Sequence, residues 1–199
     1  MPNKILYLFA HPLFEKSRIN KTFIKEIKNH HHIHFHDLYE LYPDFNIDIE
    51  HEKGLLLKHN TIIWHHPFYW YSCPPLLKQW IDMVLEVGWA YGPGGTALQG
   101  KKVLQVISTG GPETAYHHEG YNHYTIREFL APFERTVALC NMHYLPPFVT
   151  HGTHRLTDKE LHQQTEQFKK IIDIIVDETF DLTSIQKYSY INEIVKNNE

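Results

Sequence analysis

The sequence predicts an α/β fold, a doubly wound parallel sheet of five strands with helices on both faces. Two observations carry this reading. Strand-like runs alternate with helix-like runs along the whole chain, the pattern left by repeated strand-helix-strand units. The run Thr61-Ile62-Ile63-Trp64 is apolar on both faces, as a central strand buried between two helical layers must be.

Taken in order, Lys4 to Phe9 reads as the first strand, and Ile19, Phe23 and Ile27, four apart, mark a helix from Ile19 to Asn29. Ile33 to Asp37 is the second strand and Thr61 to Trp64 the third, which stops at Pro67. Pro74 and Pro75 suit the first turn of a helix reaching about Val87, because proline lacks only an N–H that has no intrahelical partner there. Its Leu77, Trp80, Ile81, Val84 and Leu85 recur at helical spacing. Lys102 to Ser108 is a fourth strand, Ile126 to Cys140 a helix, and a short strand lies near Phe148. The last helix begins at Thr157, where Thr157 and Glu160 make a capping-box pattern ahead of Leu161, Phe168, Ile172 and Ile175 on one face. Residues 1–180 are expected to form one domain. The tail, 181–199, has weak periodicity and is expected to lie beyond the last core element, as a short extra helix or a disordered segment.

Composition narrows the function. At 199 residues one core is enough, and a net charge of -4 with scattered lysine and arginine leaves no electrostatic footprint for nucleic acid. The start, MPNKILYLFAHP, enters a strand directly and lacks the features of a signal peptide; no apolar run approaches a membrane span. Two cysteines, Cys73 and Cys140, suit a reducing cytoplasm and supply neither a disulfide framework nor a metal ligand set. The 17 histidines include a cluster, His30, His31, His32, His34 and His36. It straddles a helix end and an edge strand without a second convergent ligand set, so a solvated surface cluster is expected and no metal.

Three loops leave carboxyl ends of strands, where an open α/β sheet places its ligands. The first, AHPLFEKSRIN, brings Ser17, Arg18 and Asn20 to a helix N-terminus, which suits a phosphate, although Ser17 as an N-cap alone needs no ligand. GxGxxG and GxxxxGK[ST] are both absent, so neither a dinucleotide fingerprint nor a triphosphate loop is present. The second loop sets Phe68, Tyr69, Trp70 and Tyr71 in a row, either to cover a flat ligand or as a crossover that packs on its neighbours. The third, Ser108-Thr109-Gly110-Gly111, offers backbone donors at paired glycines, or is a tight turn. Elsewhere, Trp89 and Tyr91 sit between glycines and read as a pocket wall, a subunit contact or a crossover loop.

Together AHP...SRIN, HHPFYWYSCPPLLKQWID, GWAYGPGGTALQGK and STGG, with LYELYPDFNIDI and YLPPF, resemble the flavodoxin-like NAD(P)H:quinone oxidoreductases, and among them the ancillary oxidoreductases of the glutathione-gated Kef potassium-efflux system. The resemblance runs from about Ile5 to Phe180 and implies a set of roles. His11 and Ser17, Arg18, Ile19 and Asn20 would bind a flavin phosphate, Phe68 to Tyr71 would flank the isoalloxazine ring, and Ser108 to Gly111 would meet its polar edge. Tyr116 and His123 resemble the tyrosine and histidine that support hydride transfer in the mammalian quinone reductases. Trp89 and Tyr91 would line a quinone pocket near the boundary of a homodimer. FMN is the implied cofactor, with FAD in more distant relatives, and NADH or NADPH the hydride donor. The implied activity is two-electron, ping-pong reduction of quinones. A regulatory subunit docked on the cytoplasmic face of a potassium/proton antiporter is the alternative, compatible with the first, and a bare electron carrier is a third.

Overall fold

The computed structural model describes residues 3–178 and 181–196. Its sheet runs in the order β2 (Ile33–Asp37), β1 (Ile5–Phe9), β3 (Thr61–Pro67), β4 (Lys102–Ser108), β5 (His143–Tyr144), all parallel, and β6 (Phe148–Thr150) also pairs with β4. β5 meets Lys102 and Val103, while β6 meets Val106 to Ser108. The two are therefore one strand position interrupted at Pro146 and Pro147, residues that have no N–H to give a ladder. The expected five-position doubly wound sheet is the one observed, with its reversal of strand order between β1 and β3.

Alternation along the strands divides the core in two. Ile5, Tyr7, Phe9, Ile63, Leu104 and Val106 face α1 (Arg18–Ile27), whereas Leu6, Leu8, Ile62, Trp64 and Val103 face the opposite layer. That second layer holds α2 (Leu38–Leu41), α3 (Ile49–Lys58), α4 (Pro75–Val84), α5 (Ile126–Phe129) and α6 (Ala131–Leu139). The long α7 (Asp158–Asp177) packs beside α1, where Phe23 stacks on Phe168 at 4.3 Å.

Two helices depart from the sequence reading, and a third, α3, has no counterpart in it. The helix expected over Ile126 to Cys140 is two helices meeting at Leu130, because Pro132 cannot donate the next hydrogen bond. The fourth helix ends at Val84, short of Val87. α3 carries no usable periodicity, since Glu52 is fully buried and Leu57 is 56% exposed, the reverse of an ordinary amphipathic face.

The boundary drawn at residue 180 falls on 179–180, outside the described residues. Beyond it, α8 (Leu182–Ile185) and α9 (Asn192–Lys196) join the core instead of lying past it: Ile185, Ile191 and Val195 are buried on the α1/α7 side. Asn192 closes the sheet edge, accepting from the Val149 N–H at 2.9 Å and donating to the Val149 carbonyl at 3.1 Å, as another strand would. Asn192→Ala leaves both backbone groups unpaired in a buried setting, so it should lower unfolding free energy by roughly 2 kcal/mol. Urea titration of the two proteins measures this, and equal midpoints would return the tail to a passive role.

Candidate functional site

The site is built where β3 and β4 stop together. Pro67 lies opposite Ser108 in the parallel register, and the Phe68 N–H donates to the Ser108 carbonyl at 2.8 Å. The loops after β1, β3, β4 and β6 rise from this floor around two cavities that share Phe68, of about 520 and 670 Å³. Their size is that of small-molecule sites.

The first cavity is walled by the loop after β1. His11 is buried, and its Nδ1 accepts the Leu13 N–H at 3.1 Å, which leaves Nε2 as the protonated nitrogen. Burial lowers its pKa to about 4, so the ring is a neutral donor at pH 7. Ser17 caps α1 through the Asn20 N–H, and Ser17, Arg18 and Ile19 all line the cavity. The first-turn amides of α1 have no intrahelical acceptor, so this end suits an anion. Arg18 is partly committed elsewhere, donating to Asp158 at 2.6 Å and to the Leu156 carbonyl at 3.0 Å. Asn20 is 1% exposed and is turned beneath the cavity floor, bonded to Ser108 and His65.

The aromatic loop is strained. Trp70 and Tyr71 both have positive φ, 50° and 62°, and the Ser72 N–H returns to the Tyr69 carbonyl at 3.0 Å. This is the φ pattern of a type I′ turn, normally filled by Asn-Gly. Two non-glycine residues held there cost on the order of 1–3 kcal/mol each. Trp70 gains no burial from it, being 93% exposed among the described residues, whereas Tyr71 stacks on Phe129 at 4.9 Å. Phe68, Trp70 and Tyr71 line the second cavity, and Tyr69 lines the first.

The loop after β4 divides between the cavities, Ser108 and Gly110 in the first, Gly111 and Tyr116 in the second. A Cβ on Gly110 would come 3.0 Å from the His154 ring, and one on Gly111 would come 3.2 Å from the Tyr116 hydroxyl. Thr109 points inward, its hydroxyl donating to the Gly111 carbonyl at 2.8 Å. Tyr116 is buried, which raises its pKa and keeps the phenol protonated. His123 is exposed, lines neither cavity, and bonds the His118 carbonyl at 3.3 Å.

A fourth loop went unread in the sequence. After β6, the Thr153 N–H donates to the Thr109 carbonyl at 3.0 Å and the Gly152 N–H to the Gly111 carbonyl at 2.9 Å. These bonds bring Thr153 and His154 to the first cavity and Arg155 to the second. The signal was available: HGTHR, two donors and a cation following the last strand.

Trp89 and Tyr91 line neither cavity. Their loop closes on itself through the Gly88 N–H to the Tyr91 carbonyl at 2.7 Å, with Lys53 over the Trp89 ring at 5.4 Å. Of the histidine cluster, His36 is buried, not solvated, and bonds Glu52 at 2.7 Å. Among the described residues, His36, His51 and Glu52 lie close enough to share an ion, but Glu52 already accepts from His36, from Tyr42 at 2.5 Å and from Trp80 at 2.7 Å.

Beneath the floor lie two buried histidines on consecutive residues. On one face, His65 bridges Tyr7 and Asn20, both at 2.8 Å, and the Asn20 amide reaches Ser108 at 3.1 Å. On the other, His66 receives from Gln105 at 3.1 Å and donates to the Pro67 carbonyl at 3.0 Å, while Tyr144 donates to Gln105.

A sheet ordered 2-1-3-4-5 with a crevice at its switch point defines the flavodoxin-like α/β proteins. The chain belongs to this family, whose flavodoxin-like fold profile matches residues 3–172. It is similar to the glutathione-regulated potassium-efflux system ancillary protein KefG of Erwinia tasmaniensis, 46% identical over 154 residues that span 77% of this chain and 84% of that one. It is also similar in structure to general stress protein 14 of Treponema denticola, solved in complex with FMN, at 37% identity and TM-score 0.82, covering 86% of this chain and 99% of that one. An NADPH-quinone reductase of P. pentosaceus superposes at 32% identity and TM-score 0.77, covering 84% and 96%. The resemblance drawn from the motifs is met by these relatives.

Burial, the largest cause for both rings, lowers the His66 pKa from 6.5 to about 4 and places that of His65 well below its ordinary value. Between pH 6.5 and 4 the unfolded chain takes up protons that these rings refuse, so stability is intact above pH 6.5 and falls as pH falls. For His66 alone the loss from pH 6.5 to 5 should be roughly 1.5 kcal/mol. Denaturant midpoints at the two pH values measure the slope, and His66→Gln should flatten it.

Proposed function

We propose that the protein is a flavin-dependent NAD(P)H:quinone oxidoreductase that holds FMN across the two cavities. The observation that carries this reading is the strained Trp70-Tyr71 turn, whose cost is repaid once a flat ring lies against the exposed indole. The FMN complex and the quinone reductase among the structural relatives support it. When bound, the flavin supplies two-electron hydride exchange between a nicotinamide and a quinone.

The chain's residues supply the rest. Ser17, Ile19 and the α1 N-terminus hold the phosphate, with Arg18, Lys16 and neutral His11 at its margins. Phe68, Tyr69, Trp70 and Tyr71 orient the ring. Gly110 and Gly111 present backbone donors where negative charge develops, and protonated Tyr116 adds a side-chain donor. His123 stands outside both cavities and has no role in this reading, whereas Tyr121 and Asn122 of the same loop line the second. Asn20 and Thr109 act from beneath, as supports for Ser108 and Gly111. One pocket serving NADH or NADPH and then the quinone gives ping-pong kinetics. Trp89 and Tyr91 stand apart from their own chain's cavities, so in a homodimer they close the quinone pocket of the neighbouring subunit.

The second reading, favoured by the similarity to KefG, is an ancillary subunit on the cytoplasmic face of a potassium-efflux antiporter, held there by protein contact. Enzymatic and regulatory roles coexist in it. Co-purification with antiporter-containing membranes separates it from a free cytoplasmic enzyme.

Protein purified with its own cofactor should release one equivalent of flavin per chain, identified by its mass as FMN and not FAD. Trp70→Asn should leave the apoprotein as stable or about 0.5–1 kcal/mol more stable, because Asn tolerates positive φ, yet bind FMN at least tenfold more weakly. Full affinity in that variant would detach the aromatic turn from the cofactor. Trp89→Ala with Tyr91→Ala should raise the KM for quinone and leave FMN affinity unchanged; light scattering reports whether wild type is the dimer this requires.

A further inference from the structure

Tyr7 and His65 lie in the core, line neither cavity and carry no role in the function above, yet they join the cavity floor through an unbroken series of hydrogen bonds. We propose that Tyr7 and His65 are positioning residues that set the direction of this series, so that the Ser108 hydroxyl is a committed donor into the first cavity. The cofactor must then present an acceptor atom to it. This rests on the flavin-binding reading.

The direction follows from donor and acceptor counts. Tyr7 is fully buried, and its hydroxyl has one partner among the described residues, His65 Nδ1 at 2.8 Å. A phenol O–H left unused in the core is costly, so Tyr7 donates and Nδ1 is the bare nitrogen. Neutral His65 therefore carries its proton on Nε2 and donates it to Asn20 Oδ1, 2.8 Å away. With its oxygen turned to His65, Asn20 offers its amide nitrogen to Ser108 Oγ at 3.1 Å. Ser108 accepts on that side, and its own hydrogen is left for the cavity that it lines. Reversed, the series would strand the Tyr7 hydrogen and turn the Ser108 hydroxyl back to Asn20, making a buried acceptor of the cavity floor.

Two measurements test this. Nitrogen-15 spectra of histidine-labelled apoprotein, with the His65 signals assigned by their displacement in Tyr7→Phe, should show a neutral ring protonated at Nε2. A ring protonated at Nδ1 overturns the proposal, whether or not the protein takes FMN. In the second, FMN dissociation constants are measured for wild type, Tyr7→Phe, Ser108→Ala and the double variant. Tyr7→Phe keeps the ring's shape and should weaken FMN about three- to tenfold, with no further loss when added to Ser108→Ala, because both act through one hydrogen bond. Losses that multiply, or none in Tyr7→Phe, overturn the positioning role. Failure of wild type to bind FMN would instead remove the functional reading, with the tautomer result still standing on its own.

Discussion

His65 and His66 are consecutive and fully buried, so their rings must lie on opposite faces of the sheet, and each must find its partners inside the protein. This constraint ties both core layers to the cavity floor. The α1 face supplies Tyr7, Asn20 and Ser108; the other face supplies Gln105 and Tyr144. Both series end at Pro67 and Ser108, which are register partners at the close of β3 and β4. A crevice floor pinned from two sides is rigid where a ligand needs a fixed backbone. Burial keeps the same rings neutral, so the stability of the fold falls as pH falls.

Above the floor the opposite strategy holds. Trp70 and Tyr71 occupy a turn better suited to Asn-Gly, and the walls come from loops stapled to one another through Thr109, Gly111, Gly152 and Thr153. Strain is tolerated because the stem of the turn is anchored: Phe68 is bound to Ser108 and packs on Tyr116 at 5.9 Å. A stiff base thus carries a display of aromatic rings.

The tail enlarges the domain it follows. By pairing with Val149, Asn192 covers the sheet edge that the Pro146-Pro147 break leaves weak, and Ile191 fills the adjoining core. No regular apolar pattern is needed for this, since two short helices can be held by single anchors on a preformed surface.

The alternation of elements, the buried central strand and the chemistry of three strand-end loops were legible in the sequence, because each depends on local periodicity or on residue types a few positions apart. Ser17, Ser108 and the Phe68 to Tyr71 run, each on one of those loops, line the cavities, as does His11, which only the family resemblance singled out. What the chain order concealed was set by contacts across it. The helix over Ile49–Lys58 hides its period because Glu52 is buried to satisfy His36, Tyr42 and Trp80. Thr153, His154 and Arg155 reach the site only through bonds to a loop some forty residues earlier. Asn20, read as a ligand residue, instead serves Ser108 from below, because the helix that starts at Ser17 turns its side chain inward. Local pattern determines which segments fold and where a site can form; which donors face the ligand is decided by long-range hydrogen bonds, whose partners no spacing in the chain records.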